Sequence, residues 1–177
     1  MRMKNIVLIG FMGTGKTSTG RLLANRIGYS FVDTDNKVES MHKMTISDMF
    51  KEYGEEYFRA RETETIKKIA QYHHAVISTG GGVVLNQSNM DLLRETGIVV
   101  SLTASIDVIL ERTGRRNSRP LLEHADRRKV IVELMAARAK FYQKADYIID
   151  TSHIAPLQVT DRIIDFMRKE GILRARG

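Results

Sequence analysis

The chain contains no cysteine. That excludes a disulfide framework, a cysteine-ligated metal and a thiol nucleophile, and it fits a reducing compartment. Prolines are limited to Pro120 and Pro156, and there is no linker, low-complexity run or internal repeat. No stretch approaches the roughly 18–20 apolar residues of a membrane span. Ahead of the first helical pattern only Ile6 to Ile9 are strongly apolar, too few for a signal-peptide core. A cytoplasmic protein without a membrane partner is expected. The five histidines, at 42, 73, 74, 124 and 153, show no metal-ligand spacing, and no Ser/His/Asp hydrolase pattern occurs.

What is there points to one globular domain, 1–177. A chain of 177 residues with 42% hydrophobic and 28% charged residues buries a core of its own. The net charge of +7 attracts anions without saying which. Short apolar runs at Ile6-Val7-Leu8-Ile9, Phe31-Val32, Ala75-Val76-Ile77, Ile98-Val99-Val100 and Tyr147-Ile148-Ile149 read as buried strands. Helical patterns lie between them. Residues 16–27 place Leu22, Leu23 and Ile27 on one face, with Gly28 as C-cap. Residues 45–71 open on the capping box Thr45-Ile46-Ser47-Asp48 and are broken at Gly54. Residues 126–144 carry Val130, Ile131, Leu134 and Ala137 at helical spacing, and a last helix follows Pro156. This alternation predicts an α/β fold, a three-layer α/β/α sandwich around a five-stranded parallel sheet. In such sheets ligands sit at the carboxyl ends of the strands.

After the first strand, Gly10-Phe11-Met12-Gly13-Thr14-Gly15-Lys16-Thr17 matches G-x-x-x-x-G-K-[ST]. Glycines let backbone N–H groups close on phosphates, and the following helix aims its positive end at them. Lys16 has the reach for the β- and γ-phosphates, and the Thr17 hydroxyl suits Mg²⁺. The pattern predicts a nucleoside triphosphate with Mg²⁺ and leaves the second substrate open.

Asp33-Thr34-Asp35 follows the second strand. One carboxylate suits Mg²⁺ through water and the other an acceptor hydroxyl, while Asp35 would equally serve as a helix N-cap. Ser78-Thr79-Gly80-Gly81-Gly82 follows the third strand and permits close backbone approach to a ligand. Arg59, in a helical pattern, is by itself a solvated cation or a salt-bridge partner of Glu55 or Glu62. Arg112, Arg115, Arg116 and Arg119 crowd a Gly- and Arg-containing loop between two helices, which reads as a mobile phosphate-binding lid. Nucleic acid is not expected there, because no aromatic lies between Leu102 and Phe141. Arg138, from its helical setting alone, reads as an exposed arginine.

In combination these segments resemble the shikimate kinase family, within the P-loop nucleoside-monophosphate-kinase-like group. The resemblance spans roughly residues 4–168. Besides the phosphate loop it is carried by Phe31-Val32-Asp33-Thr34-Asp35, Gly54-Glu55 with Phe58-Arg59 and Glu62, Gly80-Gly81-Gly82, Arg119-Pro120-Leu121-Leu122, and Arg138 with Tyr142. It implies transfer of the γ-phosphoryl of ATP to the 3-hydroxyl of shikimate, on the route to chorismate and the aromatic amino acids.

The resemblance also implies roles. Gly13, Thr14, Gly15, Lys16, Thr17 and Ser18 bind ATP, with Arg112 beside the adenine and Arg119 reaching the phosphates from a lid over about residues 113–124. Thr17, and Asp33 through water, hold Mg²⁺. Asp35 holds the acceptor hydroxyl. Arg59 and Arg138 take the shikimate carboxylate, and Gly81 and Gly82 contact the ring, in an acceptor region over about residues 34–62. Lys16, Asp35 and Arg119 are the catalytic set, and the enzyme is expected to be a monomer. At Ile154 some family members carry a long polar or basic side chain, so the adenine is left to backbone or lid.

Other P-loop proteins compete with this reading. Gluconate and nucleoside monophosphate kinases fit the pairing of Phe58-Arg59 with the triple glycine poorly. Asn36-Lys37-Val38-Glu39 superficially resembles a GTPase guanine reader, but it follows the second strand and ends in Glu. A nucleic-acid-stimulated ATPase lacks the stacking aromatics.

Overall fold

Strand β1 (Asn5–Gly10) explains the architecture, because every one of its residues is buried. A strand covered on both faces needs no alternation, and its side chains divide by parity. Val7 and Ile9 enter one apolar cluster, and Ile6 and Leu8 enter another on the opposite face.

The structure, a computed structural model, describes residues 4–114 and 126–173. After β1 the chain runs α1 (Lys16–Ile27), β2 (Ser30–Asp33), α2 (Thr34–His42), α3 (Ile46–Ile69) and β3 (Ala75–Ser78). A short 3-10 turn (Val83–Leu85) leads to α4 (Gln87–Thr96), β4 (Gly97–Thr103) and α5 (Ile106–Gly114). Then follow α6 (Arg127–Tyr142), β5 (Tyr147–Asp150) and α7 (Pro156–Lys169). The five strands form one parallel sheet in the order β2-β3-β1-β4-β5. One face packs on α1 and α7 through Leu23, Ala24, Val159 and Ile163. The other packs on α3, α4, α5 and α6 through Ile66, Leu93, Ile109 and Ile131. This is the expected three-layer α/β/α fold.

Local expectations hold at the caps. Gly28 is left-handed beyond α1, at φ 74°. The Thr45 hydroxyl oxygen accepts from the Asp48 N–H at 3.1 Å, and Gly54 at φ 81° kinks α3.

Two expected faces are shifted. Leu22 is 38% exposed, because the buried stripe of α1 runs through Thr19, Gly20, Leu23 and Ala24, where Gly20 lets the helix close on Phe31. Ala137 is likewise exposed. The stripe of α6 passes through Ile131, Arg138 and Tyr142, so Arg138 is only 4% exposed, contrary to the reading from its helical setting alone. A third, small cluster of Val38, Met49 and Phe58 fastens α2 to the start of α3. These helices form most of the region 34–62 expected to receive the acceptor.

Candidate active site

The carboxyl ends of β1, β2 and β3 lie side by side, and a cleft of about 400 Å³ opens over them. The volume is ordinary for a small-molecule site. Gly13, Thr14, Gly15, Lys16, Thr17, Ser18, Asp33, Asp35, Gly81 and Arg112, all expected from the sequence, line it.

The loop between β1 and α1 is shaped by sterics and by one cation. Gly10 has φ 144°, and a Cβ there would meet the Leu102 carbonyl oxygen at 2.2 Å, so only glycine fits. Lys16 Nζ donates to the Gly10 and Phe11 carbonyls at 2.8 and 2.9 Å, spanning the loop from inside. No side chain caps α1, whose N-terminus faces the cleft and leaves N–H groups and a positive dipole end for an anion.

Asp33, not Asp35, caps α2. Its Oδ1 accepts from the N–H groups of Asp35 and Asn36 at 3.1 and 3.3 Å, and its Oδ2 accepts from the Thr17 hydroxyl at 3.0 Å. Asp35 falls in the first turn of α2, with its carboxylate against Gly80. Thr34, fully buried, holds that segment by accepting from the Gly80 N–H at 2.9 Å. Thr17 and Asp33 therefore present adjoining hard oxygens beside the phosphate loop. Among the described residues no cluster of three or more His, Asp or Glu side chains offers a metal cage. One or two protein oxygens completed by phosphate is the donor set Mg²⁺ favours.

On the far side of residues 80–82 stand two arginines. Arg59 donates through Nη1 to Glu62 at 2.9 Å and through Nη2 and Nε to Glu55 at 3.0 and 3.2 Å. Burial pulls the Arg59 pKa down, but these two carboxylates overcome it and hold the pKa above its ordinary value. Arg138 lies over the Phe11 ring at 5.7 Å and reaches Gly81, where a Cβ would stand 3.4 Å from its Nη1. Gly82 touches Arg59: a Cβ there would come within 2.5 Å of both terminal nitrogens. The Gly82 backbone is at φ −96°, so alanine suits the backbone and the clash alone decides. Gly82→Ala is expected to displace Arg59 and raise the acceptor KM about 10- to 100-fold, as misplacement by an ångström does. Its ATP KM should stay near wild type. Steady-state kinetics with each substrate varied checks this.

Glu62, three residues beyond Arg59, carries part of the family resemblance and is a salt-bridge candidate, but neither reading gives it a place in the site. The structure places it between the arginines and Asp35. It is 2% exposed, and its Oε1 finds no hydrogen-bond partner among the described residues. A Cβ on Gly80 would lie 2.6 Å from Asp35 Oδ1 and 3.1 Å from Glu62 Oε1, so the two carboxylates face each other across Gly80. Burial raises the Glu62 pKa; Arg59 opposes the shift and Asp35 adds to it. A carboxyl whose folded pKa is raised stabilises the fold at low pH, and that contribution fades as pH rises through the folded pKa. The stability of wild type relative to Glu62→Gln is thus expected to grow as pH falls through this raised value. Thermal melts of both proteins across that range check it.

Arg112 belongs to α5 rather than to a loop. It donates to the Gly13 carbonyl at 3.2 Å and to the Thr151 carbonyl at 2.8 Å. Thr151, given no role of its own by the sequence, ties this corner together: its hydroxyl lies 2.9 Å from the Thr14 carbonyl and 3.0 Å from the Thr103 carbonyl. Ile154, Pro156 and Val159 form an apolar wall of the cleft nearby. Of the region read as a lid, Thr113 and Gly114 end α5; the rest, Arg119 included, lies outside the described residues.

A phosphate loop, an adjoining hydroxyl–carboxylate pair and two arginines held against Gly81 and Gly82 define a P-loop kinase of small molecules. The chain belongs to the shikimate kinase family, whose family model matches residues 12–168. The shikimate kinase of Thermodesulfovibrio yellowstonii is 48% identical over 162 residues, covering 92% of this chain and 94% of the relative. That of Thermoanaerobacter pseudethanolicus is 44% identical, covering 92% and 95%. Among solved structures, shikimate kinase from Acinetobacter baumannii in complex with shikimate superposes with a TM-score of 0.92. It is 34% identical, covering 95% of this chain and 94% of that one.

Proposed function

We propose that this kinase transfers the γ-phosphoryl group of Mg-ATP to the 3-hydroxyl of shikimate, giving 3-phosphoshikimate and ADP. The observation that carries the reading is the position of Asp35. It lines the cleft beside the phosphate loop, and the interval from it to Arg138 and Arg59 runs along Gly80, Gly81 and Gly82, which those three side chains touch in turn. A monocarboxylate bearing a hydroxyl across its ring spans that interval, with the anion on the arginines and the hydroxyl at Asp35. Guanidinium forks suit a carboxylate better than an ammonium does.

The chemistry asks for alignment and charge neutralisation more than for a strong base. Lys16 and the N–H groups of the loop and α1 take the β- and γ-phosphates. Asp35 orients the acceptor oxygen in line with the γ-phosphorus; the new P–O bond forms as the bond to the β-phosphate bridge breaks, and the hydroxyl proton is released. Thr17, and Asp33 through water, would hold Mg²⁺, which supplies charge neutralisation on the phosphates. Arg112 and Ile154 flank the adenine. Arg119 is assigned to the transferred phosphoryl from the family resemblance. The family resemblance carries the expectation of a monomer. The enzyme belongs in the cytoplasm, where ATP is supplied; no helix among the described residues is long and apolar enough to cross a membrane.

A coupled ADP-release assay tests the acceptor. Mg-ATP is offered with shikimate, gluconate or a nucleoside monophosphate in separate reactions. Release with shikimate alone is expected. Silence with shikimate and release with another acceptor would overturn the assignment around Asp35, Arg59 and Arg138 while leaving the phosphate loop intact.

A further inference from the structure

Tyr142 ends α6 one turn beyond Arg138, on the same buried stripe, and is 7% exposed. Its Oη donates to the Gly81 carbonyl at 2.7 Å. The Arg138 guanidinium stands beside the same Gly81 and acts on the phenol electrostatically. These neighbours have opposite needs: a carbonyl only accepts and a guanidinium only donates. A hydroxyl serves both at once.

The bond to Gly81 fixes more than one atom. A peptide is planar, so holding the Gly81 carbonyl also sets the direction of the Gly82 N–H on its opposite side. Gly82 is in turn the residue pressed against Arg59. Packing alone does not seat the ring. An apolar cavity of about 140 Å³, lined in part by Phe11, Met135 and Ala139, opens against Tyr142. The hydrogen bonds of the phenol therefore decide where it rests. Burial pushes its pKa up to about 12 although Arg138 and Arg59 pull the other way, so it stays a neutral, two-way group.

We infer that Tyr142 is a positioning residue for the acceptor: it holds the Arg138 guanidinium and the peptide joining Gly81 and Gly82 in the geometry that receives the acceptor's carboxylate. It does not touch the reacting atoms. The inference rests on the reading that Arg138 binds that carboxylate.

Tyr142→Phe keeps the ring in the core and removes only the hydroxyl. The shikimate KM is expected to rise about 10-fold, the effect of losing one hydrogen bond to a charged group. The ATP KM and kcat should remain near wild type. The methyl ester of shikimate, which lacks the negative charge, should show equal KM values with wild type and Tyr142→Phe. In an Arg138→Ala background, adding Tyr142→Phe should raise the shikimate KM by less than it does in wild type, because the two changes share one interaction. If Arg138→Ala alone leaves the shikimate KM unchanged, the carboxylate reading fails and this inference with it. If Arg138→Ala raises that KM but Tyr142→Phe does not, or raises it equally for acid and ester, the positioning role is overturned while the carboxylate reading stands.

Discussion

Lys16→Ala is expected to lower kcat about 1,000-fold, the scale on which removing one preorganised charge-stabilising donor acts. In phosphoryl transfer negative charge spreads over the oxygens of the migrating group, and a fixed cation lowers that barrier at no cost in reorganisation. Lys16 is buried at the first position of α1, with Nζ within 3 Å of two loop carbonyls. Its ammonium thus already stands inside the loop that the sequence pattern assigns to the phosphates. The same two hydrogen bonds shape the loop, so alanine will also loosen it. The two effects separate by measurement. Loosening alone weakens ADP binding and lowers the melting temperature; loss of transition-state charge lowers kcat at saturating ATP and shikimate. Calorimetric ADP affinity, thermal melts and single-turnover rates on the same protein distinguish them. A kcat near wild type would remove Lys16 from its catalytic role.

How much of this site is legible in the sequence depends on how local each part is. The phosphate loop is eight consecutive residues whose chemistry is contained in their own order, so it is read without a structure. The strands are legible as apolar runs, yet a run buried on both faces carries no mark of its neighbours. That β1 lies between β3 and β4 comes from tertiary packing alone. Asp33 and Asp35 are legible as a pair, and their spacing leaves the division of labour to the family resemblance; the Thr17 hydroxyl on Asp33 supports that division. Arg138 shows the limit best. On α6 it is one cation among Arg127, Arg128, Lys129 and Lys140, and periodicity does not separate a buried arginine from a solvated one. The stripe through Ile131, Arg138 and Tyr142 separates them, and only the family resemblance anticipated it. Thr151 falls in the segment that resembles the family's adenine loop, but nothing in the sequence gives it its own role, because its partners are 137 and 48 residues away in the chain.

Arg138→Ala is expected to raise the shikimate KM by about 100-fold or more, since breaking a buried ion pair costs about 3–5 kcal/mol. Three features place this residue at the upper end. It is almost fully buried, it lies against Gly81, and its charge helps to hold down the pKa of Glu62. One contact works against a clean result, because the guanidinium lies over the ring of Phe11 in the phosphate loop. Such a cation–π contact is worth about 0.5–2 kcal/mol, and Lys16 braces the same loop from its other side. Acceptor binding should therefore suffer far more than nucleotide binding. Arg138→Lys, which keeps the charge and loses the planar fork, should fall between alanine and wild type. The check is the ratio of the two KM changes, with melting temperatures recorded for each variant. Equal loss for shikimate and ATP would mean a damaged fold, and a loss confined to ATP would move Arg138 out of the acceptor pocket altogether.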